Sequence, residues 1–175
     1  EVMVEAGSYD RFQGNMDLSG PLNEAGTVLY RLTGVLRDSN TEIEGVPDDR
    51  VYIAPAITFK PTDDTTLTVL GEYMNASTGG GAFTYNDANG ATNILLHDES
   101  YNEFTQDQWR IGYEFEHRFN ETFSVFSNSR YASVDTDQEY SGLLTLSPRT
   151  YYAGLVQDQM STFVTDNFGK AEFDT

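Results

Sequence analysis

The 175-residue chain contains no cysteine, so neither a disulfide framework nor thiolate chemistry can be built from it. Basic residues are scarce. Ten Lys and Arg stand against 28 Asp and Glu, a formal charge of −18, and a nucleic-acid partner is excluded because phosphate binding needs clustered cations. No run of 18 apolar residues occurs, which removes a membrane-spanning helix. The same absence leaves a spanning β-barrel open, since its strands are half polar and register weakly on hydropathy. A negative mean hydropathy fits such a barrel. Helical periodicity is missing as well.

What is present is alternation. In "QWRIGYEFEHRF" the odd positions read Trp109, Ile111, Tyr113, Phe115, His117 and Phe119, and the even ones Gln108, Arg110, Gly112, Glu114, Glu116 and Arg118. Period two means a strand with one apolar, aromatic face and one charged face. A pause at Asn120-Glu121 leads into a second strand, Thr122 to Arg130, which predicts a β-hairpin. The pattern recurs. "RFQGNMDLSG" sets Phe12, Gly14, Met16 and Leu18 against Arg11, Gln13, Asn15 and Asp17, and "VLYRLTGVLR" sets Tyr30, Leu32, Gly34 and Leu36 against Arg31, Thr33, Val35 and Arg37. "VYIAPAITFK" places Val51, Ile53, Pro55, Ile57 and Phe59 on one face, and "TLTVLGEYM" does so with Leu67, Val69, Gly71 and Tyr73. The first residues, "EVMVEAG", and the last, "MSTFVTDNFGKAEFDT", read as strands of lower contrast. An all-β chain of about eight strands follows. Pro55 inside a strand predicts either a bulge or a local misassignment.

Connections alternate in length. Those at 21–27, 61–65 and 120–122 are short, and those at 38–50, 75–104 and 132–150 are long and polar. In an antiparallel up-and-down meander every second connection lies at the same end, so one end is trimmed and the other carries the loops, as in outer-membrane barrels. Phe59, Phe119 and Phe123 flank short turns, while Tyr73, Trp109 and Tyr131 lie towards the long loops, which gives two aromatic levels. On this reading the odd face meets lipid and the even face a polar lumen. Two rivals remain: a soluble β-sandwich or lipocalin-like module with the apolar face inwards, and a small self-contained eight-stranded barrel in which the first strand closes against the last.

The stretch "EVMVEAGSYDRFQGNMDLSGPLNEAGTVLYRLTGVLRDSN", with its "SGPL" turn and "YRLTG" strand, resembles the early barrel of TonB-dependent ferric-siderophore receptors of the ferrichrome-receptor type. "RVYIAPAITFKPTDDTTLTVLGEY" and "GYEFEHRFNETFSVFSNSRYA" resemble it in the same order. The resemblance implies that residues 1–175 are part of a 22-stranded transmembrane barrel in the bacterial outer membrane, about its first eight strands. It implies a non-enzymatic receptor that binds a ferric siderophore at its outer loops and imports it with energy from the TonB complex. The chain departs from the family pattern in lacking the N-terminal plug domain and in stopping at "KAEFDT", so it is expected to be a fragment.

The family's ligand-contacting aromatics imply Phe83 and Tyr85 in "STGGGAFTYNDANG", Tyr140 in the later loop, and Tyr151 and Tyr152 at the start of the last strand. A neighbouring family aromatic falls on Gly81, so the resemblance does not carry the family's ligand over to this chain. Rings offer large apolar area at small entropic cost around a bulky ligand. No cofactor is expected to bind directly, because iron arrives chelated and no protein ligands to the metal are called for. His97 and His117 lack zinc spacing and read as a solvated loop histidine and an interface histidine. "DTDQE" at 135–139 lacks the glycine and distal glutamate of a calcium loop. Arg31, Arg37, Arg110, Arg118 and Arg130 share the polar face with Glu72, Glu114 and Glu116, a pattern of cross-strand charge pairs.

Overall fold

A computed structural model describes residues 1–43, 45–81 and 84–173. Ten strands form: β1 (Val2–Gly7), β2 (Arg11–Pro21), β3 (Val28–Asp38), β4 (Asp48–Thr62), β5 (Thr65–Thr78), β6 (Thr84–Asp87), β7 (Gly90–Leu95), β8 (Phe104–Arg118), β9 (Phe123–Leu146) and β10 (Arg149–Ala171). Eight of them make one antiparallel meander in the order β1-β2-β3-β4-β5-β8-β9-β10. The short β6–β7 hairpin is a separate two-stranded sheet. The eight-stranded all-β meander is as the alternation predicted.

Register assigns every side chain to a face, because directly paired residues project to the same side. The row Val2, Met16, Gly34, Ile53, Tyr73, Trp109 runs across six strands. A second row joins Gly20, Tyr30, Ile57, Val69 and Tyr113, and a third Val28, Phe59, Leu67 and Phe115. These rows are apolar and open. Ile111 is 54% exposed, Phe12 65% and Val4 81%, and none of the described residues covers them. The opposite face is concave, enclosing a trough of about 620 Å³ lined by Arg31, Tyr52, Glu72, Arg110, Glu114 and Arg130 among others. Charges therefore lie on the inside of the curve and hydrocarbon on the outside.

Among the described residues only Val46 and Leu95 are buried apolar side chains. A water-soluble domain of this length would bury far more of its apolar surface. The sandwich reading fails on this geometry, and the closed eight-stranded barrel fails because β1 and β10 occupy opposite edges of the sheet.

Pro55 produces neither a bulge nor a misassignment. Pairing of β4 with β5 runs Ile53 to Tyr73 and resumes at Ala56 to Leu70 in unchanged register, so the missing proline N–H leaves a gap in the ladder without an inserted residue. Opposite Pro55 stands Gly71, whose absent Cβ would lie 3.3 Å from the proline Cγ.

The short connections 22–27, 63–64 and 119–122 lie at one end, as expected. At the other end 39–47 and 79–103 are long, but 132–150 is not a loop. β9 continues to Leu146, turns at Ser147-Pro148 and returns as β10. Its residues 139–146 stand beyond the last β8–β9 pair, Phe104 with Gln138, and at about 3.3 Å per residue project roughly 26 Å further. One face of this extension packs on the long loop, where Ser141 is buried against Asp98, while Leu144 and Leu155 stay exposed, so its sequence shows no apolar alternation.

Candidate functional site: the concave face and the rim

The concave face is tied together by side-chain ladders. Arg110 Nε donates to Glu72 Oε1 at 2.7 Å, and Gln108 Nε2 donates to the same oxygen at 3.0 Å. Arg31 pairs with Asp17, Arg37 with Asp48 and Arg118 with Asp64. Arg11, Gln13, Asn15 and Glu5 form a chain of hydrogen bonds across β2 and β1. Cross-strand charge pairing is thus the role of four of the five arginines read from the polar face. Their carboxylates are not all those expected: Glu72 is used, whereas Glu114 and Glu116 form no salt bridge among the described residues. Arg130 likewise forms none there and faces the trough.

Polarity changes on the last hairpin. Between Tyr131–Phe163 and Val125, outward positions of β9 and β10 are hydroxyls and an amide, where Ser129 Oγ meets Thr165 Oγ1 at 2.9 Å, Ser127 Oγ donates to Asn167 Oδ1 at 2.5 Å, and Tyr113 Oη reaches Ser127 Oγ at 3.0 Å. Each of these groups has a partner, which lowers the cost of facing an apolar phase. Inward, Phe126 and Phe168 stack with centroids 4.7 Å apart. Two aromatic levels exist on the convex side: Trp109 and Tyr131 pack at 5.3 Å near the loop end, and His117 with Phe119 at 4.5 Å near the short turns. His117 also shares a 2.8 Å hydrogen bond with Thr65, in keeping with an interface histidine.

Loops at the long-loop end are packed on one another. His97 is buried, contrary to the solvated histidine expected of its sequence context. Its Nε2 accepts from Asn102 Nδ2 at 2.9 Å, Asn102 Oδ1 accepts from Gly81 N–H at 2.7 Å, and the side chain of Ser141 accepts from Asp98 N–H at 2.8 Å. His97 Nδ1 has no partner among the described residues. The Ser100 hydroxyl, at 2.7 Å, and then its N–H, at 3.0 Å, hold the Asp98 carboxyl below the usual carboxylate range, with His97 adding to the effect. Segment 79–103 also covers the edge that β9 would expose beyond Gln138. Glu139 N–H donates to Glu103 O at 2.7 Å, and Gly80 lies so close to Glu139 O that a side chain has no room. An unprotected edge there would invite pairing with other chains.

The five aromatic candidates separate. Phe83 lies outside the described residues. Tyr85 sits on β6, exposed, on the small hairpin. Tyr140 is on strand β9 and not in a loop, a correction that follows from the extension of the hairpin. Tyr140 and Tyr152 are brought together on one face. Tyr140 pairs with Gly154 and Tyr152 with Gly142, and each ring lies across its glycine in the space a Cβ would take. Tyr151 points to the other face, where the Arg149 guanidinium sits 5.5 Å from its ring in a hollow with His97 and Asp98. The pairing of Tyr140 with Tyr152 was not readable from sequence, although Gly142 and Gly154 as small residues opposite rings carry its signal.

A single curved sheet with a hydrocarbon exterior, an ion-paired interior and loops gathered at one end defines the wall of a membrane β-barrel. No family model matches the chain. It is 33% identical over 148 residues to the ferrichrome outer membrane transporter/phage receptor of Escherichia coli, covering 79% of this chain and 20% of that protein. It is 25% identical to the ferrioxamine B receptor of Salmonella typhimurium, covering all of this chain and 27% of that one. Its fold matches the crystal structure of the ferripyoverdine receptor of the Pseudomonas aeruginosa outer membrane with a TM-score of 0.84 at 19% identity, covering 99% of this chain and 25% of the other. The chain is a homologue of the outer-membrane siderophore receptors, with the fold of a stretch of their TonB-dependent barrels. It spans between a fifth and just over a quarter of the length of these relatives, and its setting is the outer membrane of Gram-negative bacteria.

Proposed function

We propose that residues 1–175 are one continuous stretch of the barrel of a receptor that binds a ferric siderophore on its outer side and imports it at the expense of energy delivered by the TonB complex. The observation that supports this most is the curvature, which puts ion pairs on the concave side and bare hydrocarbon on the convex side. A wall of that kind needs lipid outside and water or polar protein inside. Its role is transport and not catalysis. Iron enters as part of the cargo, already coordinated.

Within this reading Tyr140 and Tyr152 are the aromatic contacts of the chelate, presented above the trough by the projecting hairpin. Tyr85 is a second contact from the small hairpin, Phe83 stands beside it in sequence, and Tyr151 supports the rim from behind. The test is uptake of ⁵⁵Fe by an iron-starved host without siderophore receptors of its own, given the receptor that carries this segment. Uptake of a ferric siderophore that stops when TonB is deleted is the expected result. Accumulation indifferent to TonB, or none with hydroxamate, catecholate and mixed chelates alike, overturns the reading.

A further inference from the structure

The protonation state of His97 is dictated by the groups it bonds to. The Gly81 N–H can only donate, so the Asn102 atom 2.7 Å from it is the acceptor Oδ1, and the amide turns its Nδ2 donor towards His97. His97 Nε2, 2.9 Å from Asn102 Nδ2, must then accept with a lone pair. The imidazole is therefore neutral, with its one proton on Nδ1. Both side chains are shut off from water, His97 being 2% exposed and Asn102 4%.

A proton added to Nε2 would set two donors face to face. Turning the Asn102 amide over returns Oδ1 to the imidazolium but points Nδ2 at the Gly81 N–H, so the conflict moves along the chain and does not disappear. A buried donor without an acceptor is costly, and water supplies one only if the segment lifts. The charged groups around the ring do not take the proton's place. Asp98 accepts from the Ser100 hydroxyl and N–H, Glu103 accepts from Ser77, and Arg149 is turned to Leu95 O and the Tyr151 ring. Glu99 lines the same hollow but is exposed, and Glu139 stands two residues from Ser141 on that face of β9. Residues 39–47 bring apolar Val46 beside Gly79 and Asn102 and leave Glu42 exposed, while Glu44 lies outside the described residues. Among the described residues no carboxylate bonds either ring nitrogen.

This joint fastens a whole segment. The Asn102–Gly81 bond ties the two ends of 79–103 together where they lie along β9. There Gln138 Nε2 donates to Gly80 O, Glu139 N–H to Glu103 O and Asp98 N–H to Ser141 Oγ. The segment carries β6 and β7, and Tyr85 with them.

We propose that His97 is a proton-operated latch, which docks segment 79–103 on the β9–β10 hairpin at neutral pH and releases it in mild acid. The latch does not depend on which ligand the receptor binds. The docked form carries no proton on Nε2 and the released form takes one up. Docking is therefore strongest above the range in which a free imidazole titrates, about pH 6.5, and weakens as pH falls through it.

The experiment measures amide protection factors, corrected for the intrinsic pH dependence of exchange, in the receptor that carries this segment, held in detergent micelles at pH 7.5 and 5.5. Protection at Gly81, Glu139 and 98–103 is expected to fall roughly tenfold or more in acid, with 109–118 unchanged. His97→Gln offers Asn102 an acceptor that does not titrate, so its protection should be the same at both pH values. Asn102→Asp accepts from the Gly81 N–H and from a protonated imidazole alike, so it should stay docked at pH 5.5. Equal protection of the unaltered receptor at the two pH values overturns the latch, as does an acid-induced loss that persists in His97→Gln. If His97→Gln fails to dock at either pH, Asn102→Asp decides: protection kept at pH 5.5 upholds the latch, and a loss equal to that of the unaltered receptor overturns it.

Discussion

Glu72 on β5 and Arg110 on β8 are register partners on the concave face, with the guanidinium Nε donating to Glu72 Oε1 at 2.7 Å. Gln108 donates to the same carboxylate, and the Tyr52 hydroxyl reaches it from β4. One carboxylate thus fastens three strands. Replacing it leaves a half-buried guanidinium and an amide without their acceptor. Glu72→Ala is expected to cost about 1–3 kcal/mol, read as a lower urea midpoint in detergent. Asp17→Ala, at the open pair with Arg31, should shift the midpoint less.

Gly80 lies against the carbonyl of Glu139, and a Cβ there would also come within 2.8 Å of Glu103 O. Backbone on both sides cannot yield as a flexible side chain can. Gly80→Ala should lift segment 79–103 from the β9 edge while the spanning strands persist. Hydrogen exchange is expected to rise at Glu139 and along 98–103 and to stay unchanged across 109–118.

Asn102 joins His97 to Gly81 through its two amide atoms. Asn102→Ala leaves a buried imidazole nitrogen and a backbone N–H without partners, at an expected cost of about 1–3 kcal/mol. Faster proteolysis within the long loop, with an unaltered unfolding midpoint of the barrel strands, is the expected readout.

Asp98 is held below the ordinary carboxylate range by Ser100. A carboxyl lowered in the folded state stabilises the loop above its unfolded value, near 3.9, and loses that contribution as pH falls through its lowered folded value. The Asp98–Ser100 turn should therefore persist through mildly acidic conditions and yield only in strong acid. Ser100→Ala removes the larger of the two donors, so the Asp98 carboxyl should titrate at higher pH, measured by carbon NMR of the carboxyl.

Where one face meets hydrocarbon, the chain was legible. The contrast of Trp109, Ile111 and Tyr113 with Arg110, Gly112 and Glu114 is large, so strand, face and hairpin follow from period two. It was not legible at 139–155, because a two-stranded extension beyond the main sheet, packed on a loop through Ser141, needs no continuous apolar side. Tyr140 consequently read as a loop residue, and its partnership with Tyr152 depends on a register that only the paired backbone fixes. His97 read as solvated for a similar reason. Its burial comes as its own segment folds Asn102 onto it and docks on the β9–β10 hairpin beside Ser141 and Tyr151, a contact with residues distant in sequence. The aromatic levels were visible, whereas the hydroxyl-rich exterior of β9 and β10 was not, since Ser127, Ser129 and Thr165 satisfy one another only after pairing.

Trp109 is the only tryptophan of the chain and lies on the convex face, 43% exposed. Its fluorescence reports directly which face meets lipid. With the chain reconstituted in liposomes, blue-shifted emission quenched by brominated acyl chains and shielded from aqueous iodide is the expected result. Emission quenched by iodide and indifferent to brominated lipid would contradict the account, since the aromatic face would then be turned to water.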